Sequence, residues 1–77
     1  MGLTRSDLHK LGFEPSRSYE HDHFITARFE KGRITIEKTY DKNQDWKQVS
    51  CEVIIGDEYA DIDSVEKLRV IDEIFNK

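Results

Sequence analysis

The residues best equipped for chemistry in this chain lie at positions 20–24, where Glu20, His21, Asp22, His23 and Phe24 set two imidazoles around one carboxylate. In an extended strand, His21 and His23 project from the same side, and neutral imidazoles are suitable donors to zinc or another transition metal. Two ligands do not complete a metal site. The third histidine, His9, belongs to a different stretch, and Asp22 points the opposite way if the strand is regular. His21, His23 and His9 therefore define one alternative, a metal-binding protein or a small metal-assisted enzyme. The simpler reading makes His21 and His23 the wet end of a packed strand face, with no metal and no cofactor needed.

Nucleophilic chemistry has less support. Ser50 and Cys51 are neighbours that face opposite ways in a strand, and no nearby base or oxyanion donor would activate either one. Cys51 shares a stripe with Val49 and Val53, which reads as a buried structural thiol. Asp22 and His21 have acid–base capacity, but sequence proximity supplies no substrate pose. Asp57, Glu58, Asp61, Asp63 and Glu66 provide hard oxygen donors, yet they miss the glycine position and ligand register of a calcium-binding EF-hand loop. Gly32 and Gly56 are isolated turn glycines and belong to no phosphate-cradling motif. A noncatalytic chain is the expectation.

Composition bounds the rest. Seventy-seven residues suit one domain over 1–77, with an economical core shared by helices and strands or extended by a partner chain. The formal net charge of −4 disfavours unassisted binding to a phosphate backbone, so no direct nucleic-acid partner is expected. There is no long apolar segment for a membrane span and no secretory h-region, which points to a soluble cytoplasmic protein. A single cysteine rules out an internal disulfide. In its shortness and acidity the chain broadly resembles small accessory proteins of bacterial mobile elements, a likeness of general character carried by no defined motif.

The elements that must position these residues follow from capping and periodicity. Thr4, with Asp7 three residues later, starts a short helix anchored by Leu8 and Leu11 and ended at Gly12. From Tyr19 to Phe29 the alternation predicts one strand, with Tyr19, His21, His23, Ile25, Ala27 and Phe29 on one face. Gly32 marks a tight hairpin into a second strand, which carries Ile34 and Ile36 inward. Asp41 to Asp45 form a polar turn in which Asp41 or Asn43 bonds locally to the backbone. A third strand then runs through Val49, Cys51, Val53 and Ile55 to a turn at Gly56 and Asp57. A C-terminal helix begins near Asp63 or Ser64, with Asp63 and Glu66 at capping-box spacing. Val65, Leu68, Ile71 and Phe75 form its inner face, broadened by Ile74.

The fold expected is therefore α+β: a three-stranded antiparallel β-meander with a short N-terminal helix and a longer C-terminal helix packed on one face, in the order α-β-β-β-α. On the sheet's other face Phe24, Trp46 and Ile54 interrupt a polar pattern, framed by Arg28, Glu37 and Glu52. This surface supports a small noncatalytic interaction or regulatory domain that binds a protein partner or a second copy of itself. An acidic inhibitor of a basic nucleic-acid-binding protein is the narrower form.

Overall fold

The computed structural model describes residues 3–76, which form an antiparallel sheet with two helices. The helices are α1 (Arg5–Lys10) and α2 (Val65–Phe75), and the strands are β1 (Glu14–His21), β2 (Phe24–Lys31), β3 (Ile34–Asp41), β4 (Lys47–Ile55) and β5 (Glu58–Asp61). The strands lie side by side in chain order, as a meander must when every connection is short. The sheet thus has five strands where three are expected from the sequence.

Both extra strands escape hydrophobic alternation for physical reasons. All eight residues of β1 are exposed, so nothing in their sequence separates an inner from an outer face. β5 has four residues, also all exposed. The stretch read as one strand from Tyr19 to Phe29 is the β1–β2 hairpin. His21 pairs with Phe24 across a two-residue turn, in which Asp22 takes a left-handed φ of 54° that aspartate tolerates better than most residues.

The core occupies one side of the sheet. Phe29 of β2, Ile34 and Ile36 of β3, and Cys51 and Val53 of β4 pack with Leu3, Leu8, Phe13, Ile62 and Leu68. Cross-strand pairing puts Phe29, Ile36 and Val53 in one row, so a single layer of β-branched and aromatic side chains meets the helices. Val49 leaves the expected inner stripe because the β3–β4 register slips between Thr39 and Tyr40. That β-bulge leaves Val49 exposed.

The N-terminal start is as its sequence implies: Asp7 N donates to Thr4 Oγ1 at 3.1 Å, and Thr4 N donates to Asp7 Oδ2 at 3.0 Å. The hydrogen bond from the Thr4 backbone, reinforced by the one with its side chain, holds the Asp7 carboxyl below its usual range. In α2 the cap is Ser64, whose Oγ accepts from Lys67 N at 3.1 Å, while Asp63 pairs with the Lys67 ammonium. Leu68 is fully buried and Val65 and Ile71 pack against the core, but Phe75 and Ile74 are exposed. α2 therefore meets the core through its first two turns and is fastened at its end by polar contacts.

Candidate functional site: a half-covered cleft on the helix side of the sheet

The helices cover only part of the inner face. Beyond Phe29, the same face continues through Ala27 and Ile25 on β2 and through Lys38 and Tyr40 on β3, as alternation requires. Ile25, Ala27 and Tyr40, with Ser18 from β1, Arg5 from α1 and Trp46 from the β3–β4 connection, line an open cleft of about 420 Å³. Its floor is aliphatic and aromatic, and its charged wall residue is a cation.

The connection that presents Trp46 is built by Asp41. This carboxylate is buried at the end of β3, where Oδ1 accepts from Asn43 N at 2.9 Å and Oδ2 accepts from Gln44 Nε2 at 2.5 Å. These bonds close a single 3₁₀ turn over Lys42–Gln44. Asp45 and Trp46 follow with φ of 58° and 62°, two successive left-handed residues, neither of them glycine. Trp46 lies two residues before Gln48, the register partner of Tyr40, and is left 55% exposed.

Behind Tyr40 lies a buried cation. Lys38 is 2% exposed, its ammonium donates to the Leu3 carbonyl oxygen, and it sits 5.9 Å from the centre of the Tyr40 ring. Burial pushes the Lys38 ammonium below its usual pKa, partly offset by its cross-strand neighbour Cys51 and by Asp7. Burial also pushes the Cys51 thiol and the Tyr40 hydroxyl up. A thiol raised in this way is a weak nucleophile. Arg5 places its guanidinium 5.8 Å from the centre of the Phe29 ring and pairs with no carboxylate among the described residues.

The histidines do not assemble. His21 is the last residue of β1 and its side chain is 85% exposed, 3.7 Å from Asp22. His23 sits in the turn, with its ring 4.1 Å from that of Phe24 and its Nε2 3.9 Å from Asp41 Oδ1. The turn removes the shared strand face that made His21 and His23 a candidate ligand pair, and it moves Tyr19 and His21 to the side of Thr26 and Phe24. His9 is exposed in the last turn of α1. Among the described residues no three His, Cys, Asp or Glu side chains are placed to hold one metal ion.

The proposed sheet-centred surface is also divided. Phe24, Arg28, Glu52 and Ile54 do face away from the helices, but Ile54 is only 6% exposed between its register partners Thr35 and Tyr59. Phe24 is half-buried. Arg28 is engaged within the face: its Nε lies 3.3 Å from Glu37 Oε2, close enough for charge attraction but out of line for a hydrogen bond, and its Nη1 donates to Tyr19 Oη at 3.5 Å. Trp46 alone of the three apolar residues is well exposed, and it lines the cleft on the helix side.

Sequence reasoning missed Arg5, Ser18, Ile25, Ala27, Lys38 and Tyr40 as a group. One signal was available: the two-residue step from Ile34 and Ile36 leads to Lys38 and Tyr40, placing a lysine on the core face. Compared with known proteins, the chain matches no family model, no curated protein and no solved structure.

Proposed function

We propose that this chain is a small noncatalytic protein-recognition domain of the cytoplasm, and that its contact surface is the cleft marked by Trp46. The observation that carries the reading is the Trp46 conformation. An L-residue in the left-handed region costs roughly 1–2 kcal/mol, and such strain tends to persist at binding and switching sites where the surrounding structure imposes it. Here it holds a large aromatic side chain in solvent at the rim of an apolar depression. Exposed tryptophans beside such depressions are frequent anchors of protein interfaces.

The narrower reading of an acidic inhibitor aimed at a basic partner is less well served by this cleft, because Arg5 and Lys38 favour anions there. The metal alternative has no observation in its favour once the turn separates His21 from His23.

The test uses a random decapeptide library displayed on phage and selected in parallel on the wild type and on Trp46→Gly. Glycine adopts the left-handed conformation without strain, so the variant should fold at least as well as the wild type. Circular dichroism and the urea midpoint check that. The expected outcome is a set of peptides that bind the wild type and lose binding to Trp46→Gly. Peptides that bind both proteins equally, or the absence of enrichment on the wild type, would remove the cleft as the contact surface.

A further inference from the structure

The cleft opens onto a free edge of the sheet, and together the two features specify an occupant. β1 is an edge strand, paired only with β2 and exposed along its whole length. Such an edge presents unpaired backbone N–H and C=O groups to any extended segment that approaches it. Its first half is spoiled for pairing by Pro15 and by the register break between Pro15 and Ser18, whereas Ser18–His21 pair regularly with β2. Ser18 belongs both to this regular half and to the cleft lining. The opposite edge, β5, is four residues long and bounded by Glu58 and Asp61, a short charged edge of the kind that resists strand addition.

Charge sets the sign of what enters. The cleft lining contains no carboxylate, and it contains Arg5, which is unpaired among the described residues; Glu20, the register partner of Ile25 on the same side of β1, has its charge met by Lys42 Nζ at 3.3 Å. Lys38 stands behind Tyr40 with a backbone carbonyl as its hydrogen-bond acceptor. In a chain of net charge −4 this is a local reversal of sign, and it attracts an anionic group. Ile25, Ala27, Tyr40 and Trp46 provide the apolar surface beside it.

We propose that the occupant is an extended acidic segment of a partner protein, which adds to β1 as a sixth strand and lowers a carboxylate and an apolar side chain into the cleft. The inference rests on the Trp46 recognition reading. Residues two apart in an extended chain project from the same side, so the recognised pattern is Asp or Glu, any residue, then an aliphatic or aromatic residue, in either direction. Main-chain hydrogen bonds to Ser18–His21 supply affinity, and the cleft supplies selectivity.

The experiment takes the Trp46-dependent decapeptides from the library, makes the most enriched one synthetically, and titrates it against the wild type and Arg5→Glu, following the fluorescence of the chain's single tryptophan. The expected results are enrichment of the acidic–apolar pattern, binding about tenfold weaker or worse for Arg5→Glu, and loss of binding when alternate peptide nitrogens are methylated. Arg5→Gln guards against a folding defect in the charge-reversed variant and should be intermediate. Basic or uncharged selected peptides, full binding by Arg5→Glu, or indifference to N-methylation in both registers would each overturn the inference while leaving Trp46-dependent recognition standing. Concentration-dependent self-association of the wild type that is abolished by Arg5→Glu would assign the groove to a second copy and overturn the partner. No Trp46-dependent peptide at all would defeat both proposals.

Discussion

Lys38 shows how one side chain links sequence, core and pH response. Its position follows from the β3 alternation, and its burial disfavours the ammonium form in the folded protein. Below the lowered folded pKa this penalty is fully present, and it is relieved as pH rises through that value toward the unfolded value of 10.5. Cys51 and Tyr40 act in the opposite sense. Their folded pKa values are raised, so stability is lost as pH climbs past the unfolded values of 9.0 and 10.0. Lys38→Met removes the compensating rise and the buried charge. We expect it to be at least as stable as the wild type near neutral pH and to lose stability more steeply above about pH 9. Urea midpoints measured across that range check it, and a destabilised variant near neutral pH would show that the Leu3 contact outweighs the burial penalty.

At the scale of elements, the molecule is fastened by one clasp between α1, α2 and the β2–β3 hairpin. Lys31 Nζ donates to the Leu11 carbonyl oxygen at 2.7 Å and to Asp72 Oδ2 at 2.5 Å, joining the end of α1 to α2. Asn76 accepts from Arg33 N at 2.9 Å and donates to the Lys31 carbonyl oxygen at 2.8 Å and to Asp72 Oδ1 at 3.0 Å. Partial burial pushes the Asp72 carboxyl up, but the hydrogen bonds from Lys31 and Asn76, together with the Lys31 charge, bring it below its usual range. Asp72 therefore stabilises the fold above its unfolded pKa, and that contribution is lost as pH falls through the lower folded value. Asp72→Asn should cost about 1 kcal/mol near neutral pH, with the deficit disappearing on acidification. The hairpin itself needs Gly32. Its φ is 58°, and a Cβ there would collide with the Asn76 side chain, so Gly32→Ala should cost about 1–2 kcal/mol in urea denaturation.

These elements also show what the sequence made legible. Thr4 with Asp7, the glycine turns at Gly32 and Gly56, and the Ile34/Ile36 stripe carry strong local signals, and each appears where those signals place it. β1 carries none, because a wholly exposed edge strand has no buried face to imprint a pattern. The Asp22–His23 turn uses aspartate in place of glycine, and so it resembled a strand interior. Ile74 looked like core because its spacing fits α2, yet it is 64% exposed where the helix runs beyond the packed layer. The cleft was illegible because its residues come from α1, three strands and a loop, and only the register brings them together.

Across the whole molecule, the sheet is a meander covered by helices on one face, and part of that face stays open. The radius of gyration is 12.1 Å, slightly above the roughly 11.5 Å typical of a compact chain of this length. On the open face Arg28 is held by charge attraction to Glu37, and the Thr26 and Thr39 hydroxyls lie 2.9 Å apart. The helix-side face is left unfinished at Ile25, Ala27, Tyr40 and Trp46. No helix among the described residues is long and apolar enough to cross a membrane. The most direct measurement of the central claim is amide hydrogen exchange of the wild type with and without a Trp46-dependent peptide. The account predicts new protection at Ser18–His21 and in the segment around Trp46, with the open face unchanged. Protection confined to the open-face residues Phe24, Arg28 and Glu52, or to α2, would contradict it.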